Sequence, residues 1–210
     1  MSNTYLLSNV KSNEKDIINL PLFDIHYIKP LIDFSIYDAL IFTSKNAIYS
    51  LENFNINYHN IPSYAIAPKT AQILKQYNAN VVYTGQTGHG NDFANELKDK
   101  IKNKKVLYVR AKKIVSKLMD ILKCDDVIVY ETICKKQIKQ IKQINIKENS
   151  KIIFTSPSTI QCFFDKYIWD DSYTAICIGK TTASYLPKDI KYFISKQTSI
   201  NSCIELSRTI

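Results

Sequence analysis

An internal repeat is the feature of this 210-residue sequence that most restricts its fold. Ile41-Phe42-Thr43-Ser44 recurs as Ile153-Phe154-Thr155-Ser156, an offset of 112 positions (153 − 41). Residues 66–71 align with residues 178–183 at the same offset, and Leu74 aligns with Leu186. Two segments that keep one register over about thirty positions indicate a duplicated structural unit.

Each copy of the repeat has the same order of patterns. A short apolar run ends in Thr-Ser, a segment with helical period follows, and a second apolar run leads into another helix. The predicted strands lie at 39–43, 64–67, 80–84, 105–109, 151–155, 174–178 and 191–195. The predicted helices lie at 45–53, 69–77, 91–101, 157–166, 180–186 and 199–208. This alternation predicts an α/β protein with parallel sheets and right-handed crossovers.

The second copy lacks a counterpart of strand 105–109. Residues 5–8 are expected to supply it, if the chain starts in one domain, visits the other and returns. Two further segments, 21–27 and 127–133, are rich in β-formers but belong to no βα unit, so they are predicted to pair as an antiparallel connector.

The sequence therefore predicts one discontinuous domain and one continuous domain. The first comprises residues 1–20 and 136–210, the linker strands are 21–29 and 127–135, and the second domain is 30–126. Ile138, Ile141 and Ile144 form a narrow apolar stripe in a lysine-rich segment, which indicates a solvated surface helix.

The net charge of +9 and the pI of about 9.2 favour anionic partners. A lysine-rich composition with abundant Ile, Asn and Tyr also arises from AT-rich coding, so both explanations stay open. The lysines are spread along both halves, which is not the pattern of a nucleic-acid-binding face.

No stretch reaches the roughly 18 apolar residues of a membrane span, and the first residues lack the pattern of a signal peptide. A soluble cytoplasmic protein is predicted.

The cysteines and histidines predict neither disulfides nor a metal site. The five cysteines are odd in number, widely spaced and without a Cys-x-x-Cys pair, so free buried thiols in a reducing compartment are expected. They are Cys124, Cys134, Cys162, Cys177 and Cys203. His26, His59 and His89 lack the close spacing of a local metal motif.

Hydroxyl residues recur where predicted strands meet predicted helices. Ligands of open parallel sheets gather at the carboxyl ends of strands, where the first amides of helices point outward. Ser44 and Ser156 are predicted helix N-caps, and Lys69-Thr70 and Thr181-Thr182 open two further helices. They predict four anion sites, two per domain, although helix capping alone also explains each residue.

No sequence motif for a nucleophile, a nucleotide loop or a metal is present. The glycine-rich segment 85–91 has the wrong spacing for a dinucleotide fingerprint and reads as a flexible loop that ends in an Asn91 N-cap. Many anion-binding amides and few titratable groups suit a polyanionic substrate that the protein orients rather than attacks.

In this order and spacing, the motifs resemble the uroporphyrinogen-III synthase family over nearly the whole chain. The matching segments are 41–44 with 47–48, 67–71, 90–91 with Phe93 and Leu97, 106–110, 129–132, 154–158 and 178–183. The resemblance implies two flavodoxin-like parallel-sheet domains joined by a two-stranded β-ladder, with the site between the domains. It also implies a cofactor-free reaction in which hydroxymethylbilane, an octacarboxylate, closes to uroporphyrinogen III with inversion of ring D and loss of water.

The resemblance also implies roles for individual residues. Tyr130 matches a tyrosine that assists departure of the substrate hydroxyl as a hydrogen-bond donor; an aromatic residue packed on the ladder is the alternative. The implied substrate-binding residues are Ser44, Thr70, Ser156, Thr182, Lys69, Lys180, Gly179, Asn91 and Arg110. Arg110 has a surface ion pair as its alternative role.

Two arginines of the family pattern are absent, at Asn9 and Asn46, and Lys45, Lys69 or Lys180 can replace them only as point charges. The implied enzyme is a monomer that receives hydroxymethylbilane from hydroxymethylbilane synthase and uses neither nucleic acid nor membrane. A non-catalytic two-domain binding module for a polycarboxylate or a tetrapyrrole is the alternative function.

Overall fold

The computed structural model of the chain describes residues 3–135 and 145–210. Its strands are β1 (Thr4–Leu7), β2 (Ile17–Asn19), β3 (Phe23–Tyr27), β4 (Ala39–Phe42), β5 (Ser63–Ala65), β6 (Val81–Thr84), β7 (Val106–Ala111), β8 (Asp125–Cys134), β9 (Lys151–Phe154), β10 (Thr174–Cys177) and β11 (Tyr192–Ile194). Its α-helices are α1 (Lys45–Asn53), α2 (Pro68–Gln76), α3 (Gly90–Leu97), α4 (Leu118–Leu122), α5 (Pro157–Phe164), α6 (Lys180–Ala183) and α7 (Ile200–Ser207). A short 3₁₀ helix covers Phe34–Ile36. The predicted helix with Ile138, Ile141 and Ile144 lies outside the described residues.

The chain divides into two compact units. Unit 1 comprises Met1–Asp24 and Ile133–Ile210, and unit 2 comprises Ile25–Thr132. The finer division, with linker strands at 21–29 and 127–135, stays a prediction. None of the helices in the described ranges is long and apolar enough to cross a membrane.

Unit 1 contains a five-stranded sheet in the order β2-β1-β9-β10-β11. All four strand pairs are parallel. β1 lies beside β9, with Leu7 opposite Phe154, just as β7 lies beside β4 in unit 2. The prediction that the N-terminal strand completes the second copy of the repeat is therefore confirmed.

Unit 2 contains a sheet in the order β6-β5-β4-β7-β8, and β3 lies next to β8. The first five strands are parallel. Ile28, just after β3, donates to Val129 O at 2.7 Å, and Lys135, just after β8, donates to Leu22 O at 2.8 Å, so β3 and β8 run in opposite directions. This pair is the predicted antiparallel connector.

Both sheets have the same topology once counting starts at the first strand of each repeat. From β4 in unit 2, or from β9 in unit 1, the order reads 3-2-1-4-5. In unit 1 the last two of these strands come from the N-terminus of the chain, so its order in chain direction is 2-1-3-4-5, the flavodoxin-like order. The predicted α/β fold class with two parallel sheets and a β-ladder is confirmed.

The central strands are buried on both faces, as expected for parallel sheets covered by helices. Leu40 and Phe42 of β4 pack in one hydrophobic cluster, and Ala39 and Ile41 pack in the cluster on the other face. In unit 1 the corresponding core centres on Phe163, whose ring lies 5.5 Å from that of Phe154.

Short elements account for the differences from the predicted boundaries. β2 has three residues and α4 has five, too few to show a periodic pattern, and neither was predicted. α6 ends at Ala183 rather than at residue 186, and the Ser184 hydroxyl bonds back to Thr181 O at 3.0 Å as the helix ends.

The prediction of five free thiols is wrong. Cys134, at the end of β8, and Cys162, on α5, form a disulfide with Cα atoms 5.1 Å apart. Cys124, Cys177 and Cys203 are free. The sequence separation of 28 residues gave no indication of this pair, because β8 and α5 come together only in the folded unit.

We expect thiol titration of the denatured but unreduced protein to find three thiols, and five after reduction. In the native protein, burial raises the pKa of Cys124 to about 11 and that of Cys177 to about 12. Their thiolates are therefore scarce at pH 8, so alkylation should be slow until the chain unfolds. Five thiols in the unreduced sample would contradict the disulfide, and Cys203→Ser should lower either count by one.

Candidate active site at the strand carboxyl ends

The strand order of each unit has one reversal point. It lies between β4 and β7 in unit 2 and between β9 and β1 in unit 1. In open α/β sheets, ligands bind outside the carboxyl ends of the strands at this point. The two Thr-Ser pairs directly follow β4 and β9, so each pair stands at the reversal point of its own sheet.

In unit 2, Ser44 caps α1 as predicted. Its hydroxyl accepts a hydrogen bond from Asn46 N at 3.2 Å. The Thr43 hydroxyl lies 2.8 Å from the Tyr108 hydroxyl on β7, a contact that sequence reasoning missed. It depends on the pairing of β4 with β7, which sets Ile41 opposite Tyr108.

A bulge in β8 places Tyr130 at this edge of the sheet. Along β7, Arg110 pairs with Ile128, but the next residue, Ala111, pairs with Tyr130. Val129 is therefore an extra residue on β8, and bulges of this kind re-aim a side chain next to a functional site. Tyr130 is 7% exposed and belongs to the core cluster on the α1 face of the sheet.

Two hydrogen bonds hold the bulge. The carbonyl oxygen of Val129 accepts from Ile28 N at 2.7 Å and also from the Ser50 hydroxyl of α1. The connector and helix α1 thus both fix the backbone next to Tyr130, so the tyrosine ring has a defined position.

The environment of Tyr130 keeps its hydroxyl protonated. Burial raises the pKa of Tyr130 above its ordinary value of 10, the nearby Ser44 hydroxyl lowers it in part, and the Tyr108 hydroxyl raises it further. A neutral phenol can donate a hydrogen bond, whereas a phenolate cannot. The structure thus brings two of the predicted site residues together, with Tyr130 as a donor at neutral pH.

The reversal point of unit 1 has the same construction. Ser156 caps α5 in a capping box: its hydroxyl accepts from Thr159 N at 3.3 Å, and the Thr159 hydroxyl accepts from Ser156 N at 3.2 Å. The Thr155 hydroxyl donates to Leu7 O of β1 at 2.8 Å. The predicted cap at Ser156 is confirmed.

Thr70 and Thr182 occupy equivalent positions as the third residues of α2 and α6. They are 7% and 4% exposed. Ala67 and Gly179 are the respective cap residues, and neither helix start has a side-chain cap. At both helix starts the threonine is buried, whereas the neighbouring Lys69 and Lys180 are exposed.

Arg110 and Asn91 already have partners within unit 2. Arg110 Nε donates to Asp126 Oδ2 at 2.7 Å, and its Nη1 donates to Ala111 O at 2.9 Å. Asn91 Oδ1 accepts from Lys117 N at 2.8 Å. The expected N-cap role of Asn91 is wrong, because α3 begins at Gly90 and its cap residue is His89.

Among the described residues, no group of three or more His, Cys, Asp or Glu side chains is arranged to hold a metal ion. The groups gathered at the two reversal points are hydroxyls, backbone amides and the buried phenols of Tyr108 and Tyr130. This arrangement can bind and orient carboxylates and can donate a hydrogen bond to a leaving group.

Residues 10–205 match the family model described as uroporphyrinogen-III synthase HemD. The chain is also similar to the crystal structure of uroporphyrinogen-III synthetase from Helicobacter pylori 26695, with a TM-score of 0.85 and 32% identity. That match covers 100% of this chain and 99% of the H. pylori chain.

Two other relatives are more distant. A mutant uroporphyrinogen III synthase from the extremely thermophilic bacterium Thermus thermophilus has a TM-score of 0.61 and 10% identity, with 99% of this chain and 98% of that chain covered, and supports the fold alone. A porphyrin biosynthesis protein HemD from Ruminiclostridium josui is 29% identical over 188 residues. The match covers 80% of this chain but only 37% of the R. josui protein.

Proposed function

The chain belongs to the uroporphyrinogen-III synthase family of cyclising lyases in tetrapyrrole biosynthesis, and we propose that it converts hydroxymethylbilane to uroporphyrinogen III. The reaction releases water, inverts ring D and needs no cofactor. The observation that carries the proposal beyond the family match is Tyr130, a protonated buried phenol beside the Ser44 cap at the reversal point of unit 2.

Tyr130 assists the first step of this reaction. As the carbon–oxygen bond of the bilane hydroxymethyl group breaks, the Tyr130 phenol transfers its proton to the departing hydroxyl, which leaves as water, so that an azafulvenium cation and a Tyr130 phenolate remain. The far pyrrole then attacks this cation to form a spiro intermediate, which rearranges with ring D inverted, and the proton lost on ring closure returns to the phenolate. Free bilane closes to the symmetric isomer without help, so the protein acts mainly by holding the chain in the spiro-competent conformation.

The carboxylates of the substrate bind at the helix starts. The N-termini of α1 and α5 offer free amides and the positive end of the helix dipole beside Ser44 and Ser156. At the starts of α2 and α6, the residues that contribute to binding are Thr70, Thr182 and Gly179. Lys69 and Lys180 add positive charge there. Lys45 stands next to Asn46 and supplies a point charge where the family pattern has an arginine.

Arg110 and Asn91 contribute less directly in this proposal. Their side chains are bonded within unit 2, to Asp126 and to Lys117 N respectively, so any contact with substrate uses the donors that remain. Arg110 Nη2 is one such group, because the bonds formed by this guanidinium involve Nε and Nη1.

The cellular setting is also part of the proposal. The protein acts as a monomer in the cytoplasm, and its domains divide at the linkers 21–29 and 127–135. It receives the unstable bilane from hydroxymethylbilane synthase. In the cytoplasm the Cys134–Cys162 disulfide would be transient or redox-sensing, because that is the usual role of disulfides in cytosolic proteins.

A coupled assay tests the proposal. Hydroxymethylbilane is generated by its own synthase in the presence of the full chain, the products are oxidised, and isomer I and III porphyrins are separated by chromatography. We expect isomer III to predominate. Isomer I at the rate of the protein-free control, from a folded sample, would overturn the proposal and favour the non-catalytic binding module.

The double variant Thr70→Ala/Thr182→Ala should raise KM about thirtyfold and leave kcat nearly unchanged. Two hydrogen bonds from neutral hydroxyls to substrate carboxylates contribute about 1 kcal/mol each to binding, or about 2 kcal/mol together. KM for the bilane in the coupled assay measures the effect. Thr4→Ala is the matched control, since Thr4 is equally buried (7% exposed) but opens β1 at the amino edge of its sheet. An equal rise of KM in both variants would contradict the assignment.

A further inference from the structure

A concave site lies at the edge of the unit 2 sheet opposite to the one that carries Tyr130. It is a pocket of about 400 Å³ at the amino ends of β7 and β8. Five lysines and one aspartate line it: Lys98, Lys102, Lys104, Lys105, Lys123 and Asp125. We call it the lysine pocket. The β7 strand alone separates it by about 20 Å from the edge that carries the candidate active site.

Protein groups neutralise the charge of the lysine pocket only in part. Across the described parts of the chain, the lysines that pair with carboxylates are Lys112 and Lys135, and neither lines this pocket. The one carboxylate at the pocket, Asp125, accepts a hydrogen bond from the Tyr37 hydroxyl at 3.1 Å. The Asp38 carboxylate also lies at this edge, where it accepts from Lys105 N at 2.8 Å. With about one further charge offset by the carbonyl ends of α3 and α4, about two positive charges remain in one concavity.

Contacts with tyrosine rings hold two of the five lysines in place. Lys104 Nζ donates to the Tyr64 hydroxyl at 3.0 Å, and Lys105 Nζ lies 5.1 Å from the centroid of the Tyr37 ring. These neutral partners fix the ammonium groups without removing their charge. Lys98, Lys102 and Lys123 are exposed, and their charge is available to a ligand.

The backbone of Lys123 is a second, independent observation. Lys123 follows the last residue of α4 in the left-handed conformation, with φ of 48°. Glycine is the usual residue at this position, because a side chain strains the left-handed backbone. The chain thus carries a lysine at a position where glycine would be more stable, and that lysine lines the pocket.

We propose that the lysine pocket binds a compact polyphosphate anion, either a free polyphosphate or the triphosphate of a nucleotide. Lysine ammonium groups bind phosphate as point charges, and five of them around one concavity suit an anion that carries several negative charges within a few ångströms. The pocket is concave and of small-molecule size, so a compact anion fits it better than an extended chain. The site is separate from the proposed synthase site.

Isothermal titration of the full chain with inorganic tripolyphosphate tests the proposal. We expect saturable binding that weakens with added salt. Lys102→Gln and Lys123→Gly should each raise Kd about tenfold, because a hydrogen bond to a charged group contributes on that order. The control Lys188→Gln/Lys191→Gln removes two exposed lysines of unit 1 and should change Kd less than about twofold.

Lys123→Gly also separates ligand binding from a structural role. It should raise the melting temperature, because it relieves the left-handed strain, while it weakens tripolyphosphate binding.

Equal affinity for tripolyphosphate and ATP would assign recognition to the phosphate chain, and tighter ATP binding would assign recognition to the whole nucleotide. Absent binding, or an equal loss in the unit 1 control, would overturn the proposal. Isomer III formation should persist in every lysine variant, so failure here is distinguishable from failure of the proposed function.

Discussion

The variant Tyr130→Phe should lower kcat for isomer III formation about 100-fold, the lower range for loss of a positioned proton donor. KM should change little, because the phenol donates to the departing hydroxyl and not to the carboxylates that anchor the bilane. Residual activity should remain above the protein-free rate, since the helix-start amides still orient the substrate. Initial rates in the coupled assay, with isomers separated, measure the effect.

Two further measurements make this prediction specific. Tyr37→Phe removes another tyrosine hydroxyl of unit 2 at the amino edge, where it bonds Asp125, and should leave kcat unchanged. The pKa of Tyr130 is raised above 10, so its donor form persists as pH rises, and kcat should not fall through this group between about pH 7 and pH 9. Normal kcat in folded Tyr130→Phe would remove the residue from the mechanism.

The variant Gly85→Ala should destabilise unit 2 by about 3 kcal/mol, the upper range for overpacking. A Cβ atom at Gly85 would lie 2.6 Å from the carbonyl oxygen of Ile66 and 2.6 Å from Phe93 Cδ2. The first neighbour is backbone and the second is a fully buried ring, so neither can move cheaply. The melting temperature should fall by about 6–12 °C.

Gly179→Ala is the matched control for this prediction. Its Cβ would lie 3.6 Å from Thr198 Cγ2, an ordinary contact, so the melting temperature should stay within about 1 °C of the parent value. Gly179 also caps α6, and because the backbone amides are retained, KM should change little. Equal melting temperatures of the two variants would show that the loop at Gly85 yields to the added methyl group.

Local sequence patterns were sufficient to predict much of the fold. The α1 and α5 starts follow from Ser44, Ser156 and Pro157, since capping and proline at the first helical position act within one turn of chain. The repeat offset of 112 also predicted that β1 completes the sheet of β9, because β9 otherwise lacked the partner that β7 provides for β4.

Other features depended on residues that are distant in sequence. The Cys134–Cys162 disulfide forms because β8 ends beside α5, and the bulge at Val129 is visible only when β8 is paired with β7. The Asn91 side chain was expected to cap α3 but instead bonds Lys117 N, a partner 26 positions away. None of these contacts leaves a periodic signal in the sequence.

The sequence by itself determined the order of strands and helices, the doubling of the unit and the hydroxyl residues at the strand ends. Tertiary structure alone decided that Tyr130 meets Ser44, that two cysteines pair and that five dispersed lysines line one pocket. The physical reason is the distance along the sequence over which each kind of interaction acts. Helix caps and apolar periodicity act over a few residues, whereas sheet pairing and its bulges bring distant side chains together only after the chain has folded.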